Sequence, residues 1–196
     1  MFQPQFSPHA RTSPRPQTDR PLRFLQIFTF YEHYLEEFYG KRPALLQAPF
    51  DVQLRELRAD GFGGLHLLAP HLAALGYESS FVIANCAPSQ LRWAQEHNLA
   101  VNESNWSHEV LRRQIETLQP DIIYSLNPLD YDSRFLATVN WKPRLTIGWR
   151  AADIPSSTDW SRYDLILSHL TVCRELALKH GAKSSALFHP AASEQI

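Results

Sequence analysis

The chain holds two cysteines in 196 residues, and none of its apolar runs approaches the roughly 20 residues that a membrane-spanning helix requires. Cys86 and Cys173 stand far apart in apolar surroundings, which predicts buried thiols in a reducing compartment instead of a disulfide or a metal site. Neither sign of charge dominates: 19 Lys and Arg face 20 Asp and Glu, for a net charge of -1. That balance gives no electrostatic reason to expect nucleic acid or an anionic membrane as a partner. The first residues lack the charged, apolar, small progression of a signal peptide. No internal repeat is present, and no Ser-His-Asp or Cys-His arrangement emerges from the spacings. His66 and His71 are five residues apart and so do not share a helix face, which argues against a zinc pair. These absences predict a soluble, cytoplasmic protein with no transmembrane segment.

What is present is a core. At 44% hydrophobic and 20% charged, the chain has enough apolar material for one sizeable domain. Residues 1–20 contain Pro4, Pro8, Pro14 and Pro16 without apolar periodicity and read as a disordered tail. Residues 21–190 carry alternating strand and helix signals. Strands are predicted at 22–29, 80–84, 121–125, 145–149, 164–168 and 185–188. Helices are predicted at 31–39, 50–58, 63–75, 88–97, 107–118, 133–139 and 171–180, with Gly76 and Gly181 as stops and Thr171 as a cap. Pro70 falls inside the third of these and is expected to kink it or shorten its first turn. Strands alternating with amphipathic helices predict an α/β domain: a doubly wound, Rossmann-like parallel sheet of about six strands with helices on both faces. Ligands of such sheets bind beyond the carboxyl ends of the strands.

The most suggestive local feature is Asp60-Gly-Phe-Gly-Gly64, followed by Leu65 to Gly76 and the apolar Ser80-Phe-Val-Ile-Ala84. Glycines allow close backbone approach to a ligand, and a helix start beyond them presents unpaired N–H groups. The first strand, by contrast, runs into Phe28-Thr-Phe-Tyr31 with no Gly-x-Gly-x-x-Gly turn, which argues against a self-contained dinucleotide or flavin site.

Several phrases together resemble the N-terminal domain of GT-B glycosyltransferases, which consist of two facing Rossmann-like domains. Gly63-Gly64 followed by Leu72-Ala-Ala-Leu75-Gly76-Tyr77-Glu78 is similar to the glycine–helix–strand passage of that class. Tyr31 to Tyr39, Ala59 to Gly63, Asn85 with Gln90 to Glu96, Gln119 to Tyr124, Tyr163 to Ser168 and Phe188-His189-Pro190 are similar to the bacterial branch related to spore-maturation glycosyltransferases. The resemblance covers residues 22 to 190. It implies an acceptor-side domain, a sugar acceptor as substrate, and a nucleotide-sugar co-substrate held mainly by a C-terminal Rossmann-like domain or subunit. It implies no bound cofactor or metal, and makes 191–196 the start of an interdomain linker. On its own, this half of an enzyme is expected to be inactive.

The candidate residues each carry a second, structural reading. Asp60 could take a proton from an acceptor hydroxyl, or cap a turn. His33 is a candidate base near neutral pH, and Tyr31 a candidate stacking platform for a sugar ring, unless both merely flank a packed helix. Gly61, Gly63 and Gly64 could lie against a donor phosphate or an acceptor, or form a plain tight turn. Asn85, Asn127 and Asp130 end or follow strands and face the predicted crevice. Asp130-Tyr-Asp132 matches an Asp-x-Asp metal pattern, although two carboxylates just before a helix are more often caps. Arg150 could bind a phosphate in bidentate fashion or pair with Asp153. His169, after the fifth strand, is a similar rim candidate. A non-catalytic ligand- or protein-binding module, using the aromatic insert at 31–50, is the alternative reading.

Overall fold

A computed structural model describes residues 20–64, 67–102 and 104–189. Residues 1–19 of the tail predicted at 1–20, Leu65, His66, Glu103 and the segment 190–196 lie outside the described residues. The described chain runs β1 (Arg23–Phe28), α1 (Glu32–Gly40), a 3-10 turn (Pro43–Gln47), α2 (Phe50–Ala59), α3 (Ala69–Ala73) and β2 (Glu78–Ile83). It continues through α4 (Ala87–Glu96), α5 (Trp106–Leu118), β3 (Ile122–Ser125), α6 (Ser133–Thr138), β4 (Leu145–Trp149), β5 (Leu165–Ser168), α7 (Thr171–Lys179) and β6 (Ser185–Leu187).

The strands form one parallel sheet in the order β2-β1-β3-β4-β5-β6. Both faces are covered, as a doubly wound α/β fold requires. Leu25, Ile27 and Ile123 pack on one face against Leu111 and Ile115 of α5 and Phe135 of α6. The register Ile27↔Ser125, Ser125↔Gly148, Gly148↔Ile166 carries that face to β5, where Ile166 meets Ala177 of α7. The opposite face presents Phe24, Gln26 and Phe28 to α3 and to the aromatic stripe of α1. Ile147, Trp149, Leu165 and Leu167 lie farther along this second face and stay only partly buried.

The helix expected from Gly63 to Leu75 is much shorter. Gly61 and Gly63 adopt left-handed φ values of 78° and 74°, which no α-helix accepts, and Pro70 sits in the first turn of α3. The start of α3 is fixed from the sheet instead. Gln26, fully buried in a central strand, accepts hydrogen bonds at Oε1 from the Leu68 and Ala69 amides at 2.9 and 3.0 Å. The glycine turn therefore precedes a loop, and α3 is a single short segment ended by Gly76 at φ 84°. A second correction concerns α7: Leu170 occupies the cap position, and the Thr171 hydroxyl accepts from Arg174 Nη2 at 3.0 Å. Gly181, at φ 94°, does follow α7.

The amino-terminal ends of the strands are tied by two carboxylates. Asp121, 2% exposed, accepts from the Arg23 amide at 2.9 Å and from Arg20 through both carboxylate oxygens, and pairs with Arg144 at 3.2 Å. One side chain thus joins the starts of β1, β3 and β4. Asp164 accepts from the Thr146 amide at 2.8 Å and from Lys183 at 2.6 Å, joining β4, β5 and β6. Burial alone would raise the Asp121 pKa, but the Arg20 hydrogen bonds, the Arg23 amide and the charges of Arg20 and Arg144 outweigh it and hold the carboxyl below its ordinary value.

Candidate functional site at the carboxyl rim

Strand order reverses between β1 and β3, because β1 connects outward to β2 while β3 leads through β4 to β6. In an open parallel sheet this switch point leaves a crevice at the carboxyl ends, since the two crossovers depart in opposite directions. Thr29 leaves β1 at that point and Asn127 leaves β3. Their side chains meet across it, with Asn127 Nδ2 donating to Thr29 Oγ1 at 3.2 Å. The same amide donates to Asp130 Oδ2 at 2.7 Å, and the Asp130 amide returns a bond to Asn127 Oδ1 at 3.3 Å. Asn127 and Asp130 thus brace each other, leaving Asp130 on the surface. Asp132, by contrast, is spent as a helix cap. Its side chain accepts from the Arg134 and Phe135 amides and from the Arg134 guanidinium.

On the β2 side the rim is built differently. Asn85 clasps the backbone of Phe30 in both directions, accepting from its amide at 2.9 Å and donating to its carbonyl at 2.6 Å. Phe30 also meets Gly63, where an added Cβ would lie 3.0 Å from the ring. Asn85 and Gly63 therefore converge on one residue, and both act on the path of the β1–α1 loop. Phe30 packs edge-on to Phe62 and Tyr34, which stack on each other at 3.7 Å and 12°.

Asp60 caps α2 beneath this aromatic cluster. It accepts from the Tyr34 hydroxyl and from Arg42 Nη2, each at 2.8 Å. Burial, then the Asp60 hydrogen bond and charge, raise the Tyr34 pKa, so the phenol stays protonated as a donor. With two donors on its oxygens, Asp60 is a clamp between α1, the 3-10 turn and the glycine loop. Gly64 closes that loop through its amide to the Gly61 carbonyl at 3.0 Å, and a Cβ at Gly61 would meet nothing within 4 Å. Above the cluster Tyr31 is 69% exposed, with His33 stacked on it at 5.7 Å and 21°.

Along β4 and β5 the rim carries Arg150 and His169. Arg150 donates through Nε and Nη2 to the Asp153 carbonyl oxygen at 3.1 and 2.6 Å, so its partner is backbone and the alternative ion pair with the Asp153 carboxylate is not the contact made. His169 is exposed, its ring 6.4 Å from Trp149. In order along the rim, the structure sets Asn85, Thr29, Asn127 with Asp130, Arg150 and His169.

One rim residue carries no signal in local sequence pattern. His108 lies in the first turns of α5, and α5 starts at the carboxyl edge because a crossover helix runs antiparallel to its strands. Its Nε2 lies 3.2 Å from the Asp130 carbonyl oxygen, and its ring packs against Tyr131 and Phe135 at 5.5 and 5.4 Å. An Nε2–H bond to that carbonyl leaves Nδ1 as the accepting nitrogen. His108, Asp130 and Arg112 border a groove of about 550 Å³ between α5 and α6, of a size that accommodates a small ligand. Thr29, Asn127, Asp130 and His108 thus form one connected polar series from the switch point into this groove. The placement of the α5 start beside β3 could have pointed to His108, but only once the crossover was known.

Among the described residues, no set of three His, Cys, Asp or Glu side chains gathers to hold a metal ion, and no helix is long and apolar enough to cross a membrane. No family model, curated protein or solved structure matches the chain.

Proposed function

We propose that this chain is the acceptor-side domain of a cytoplasmic, two-domain glycosyltransferase, with the switch point at Thr29, Asn127 and Asp130 as the centre of its working edge. The observation that carries the reading is the open carboxyl rim. Exposed Tyr31 and His33 stand on one side of the β1/β3 crevice, and Asp130, His108 and the α5–α6 groove on the other. A flat aromatic face beside hydrogen-bonding side chains suits a sugar, whose ring offers C–H faces and hydroxyl edges together. The sequence resemblance adds the reaction class. The nucleotide-sugar donor then belongs to a C-terminal Rossmann-like domain or subunit that closes over this rim.

Within this reading, the pinned residues serve as scaffold. Asn85, Gly63 and Asp60 fix the β1–α1 loop, which presents Tyr31 and His33. Asp130, His108, Arg150 and His169 remain at the surface for a ligand or the facing domain. The alternative, a protein-binding module using the insert at 31–50, has less apolar surface to offer. Leu35, Phe38, Tyr39 and Leu45 of that insert are buried in the core, and Tyr31 and Leu46 are its exposed large apolar side chains.

Two measurements on residues 1–196 test the proposal. Calorimetry with a panel of sugar nucleotides is expected to show no tight binding. NMR shift mapping with simple glycosides is expected to perturb residues 29–33, 108 and 127–130. Tight donor binding by this chain alone overturns the division of labour, and glycoside shifts confined to other regions overturn the site.

A further inference from the structure

The end of the sheet opposite the carboxyl rim holds a groove of about 770 Å³. Four cations line it, one or two from the start of each neighbouring strand: Lys142 and Arg144 before β4, Arg162 before β5 and Lys183 before β6. Asp164 is the carboxylate that lines it with them. In a chain of net charge -1, this is a local concentration of positive charge. Structural ion pairs absorb part of it. Arg144 pairs with buried Asp121, and Lys183 with Asp164. Lys142 and Arg162 make no ion pair with any described residue.

Asn140, Thr146 and Ser161 add neutral polar groups to the lining, and one side of the groove is apolar. Trp141 donates its indole N–H to the Pro120 carbonyl at 2.8 Å, which sets the ring, and Leu136 and Val139 pack beside it on the α5–α6 core. The groove therefore combines unneutralised cations with a rigid hydrophobic side.

We infer that this groove is a second binding site, separate from the carboxyl rim, for a soluble organic phosphate. The phosphate meets Lys142 and Arg162, with Arg144 and Lys183 adding field, and the organic body lies along Trp141 and Val139. A volume in the range of small-molecule sites and charge complementarity both fit such a ligand. The inference is independent of the glycosyltransferase reading, because no residue of the rim takes part.

Phenyl phosphate and inorganic phosphate, titrated at millimolar concentration into residues 1–196 and followed by amide NMR shifts, test it. Phenyl phosphate is expected to perturb residues 139–146, 162 and 183, to bind more tightly than inorganic phosphate, and to weaken with added salt. The double variant Lys142→Glu/Arg162→Glu is expected to bind about tenfold or more weakly, as loss of two charge-assisted contacts implies. Lys142→Gln/Arg162→Gln, which removes the charge without reversing it, is expected to lose affinity while keeping the wild-type circular dichroism and Tm. Unchanged affinity in a folded double variant overturns the site, as do shifts confined to the carboxyl rim or absent throughout. Binding only to phosphatidylcholine vesicles doped with phosphatidic acid, with no response to phenyl phosphate, overturns the soluble ligand.

Discussion

The two ends of the sheet solve the same problem with opposite chemistry. At the amino ends, strand starts are tied by carboxylates: Asp121 links β1, β3 and β4, and Asp164 links β4, β5 and β6. At the carboxyl ends, neutral amides do the work, with Asn85 clasping Phe30 and Asn127 bridging to Thr29 and Asp130. A buried carboxylate needs cations near it to offset desolvation, so the amino end accumulates Lys and Arg. An amide satisfies donors and acceptors without a counter-charge. Rim side chains such as Asp130 and His169 are thereby left at the surface, where a ligand can reach them. The difference places acid sensitivity at one end and the proposed chemistry at the other.

Removing the carboxylate tie is the strongest way to break this contrast. Asp121→Ala removes the carboxylate that the Arg23 amide, Arg20 and Arg144 share, and is expected to cost about 3 kcal/mol in chemical denaturation. The corresponding rim change, Asn85→Ala, strips both backbone groups of Phe30 of their partners and is expected to cost about 2 kcal/mol. If Asn85→Ala proved neutral and instead abolished glycoside binding, Asn85 would be a ligand contact and no clasp. Gly63→Ala puts a side chain at φ 74° and 3.0 Å from the Phe30 ring, and is expected to cost about 1–2 kcal/mol.

The pH dependence sharpens the comparison further. Because Asp121 has its pKa lowered in the folded state, its contribution is fully present above the ordinary carboxylate range and is lost as pH falls through the depressed folded value. Asp121→Asn is expected to lower stability at neutral pH and to flatten its decline in acid, measured as denaturation midpoints across a pH series. Asn85→Ala is expected to shift that whole curve down without changing its slope. The smallest stability effects belong to Arg150→Ala and His169→Ala, each expected within about 0.5 kcal/mol because His169 is exposed and half-buried Arg150 bonds the carbonyl of nearby Asp153. A large loss of stability from either would move it from the rim's working surface into its scaffold.

Strand positions were legible because most are short apolar runs with Pro, Gly or Asn close to one end, and every observed strand end falls within two residues of the expected one. The glycine turn misled because Gly61 and Gly63 take left-handed geometry, while the helix start beyond them depends on Gln26, about 40 residues earlier in the chain. No local pattern marks a strand glutamine as the cap of a distant helix. Asn85 and Asp60 sit near the predicted crevice, but their hydrogen bonds to Phe30, Tyr34 and Arg42 belong to loop packing. His108 went unnoticed for the converse reason: its proximity to Asp130 arises from how α5 crosses to β3.

By itself, the order of apolar runs and breakers determined a parallel α/β sheet, because period and turn chemistry act over a few residues and survive any packing. Only the tertiary structure decided that β1 lies between β2 and β3, that Thr29 and Asn127 consequently meet, and which polar side chains brace the rim and which remain on it. Those outcomes depend on hydrogen bonds between residues up to about a hundred positions apart, and their geometry exists only once the sheet has closed.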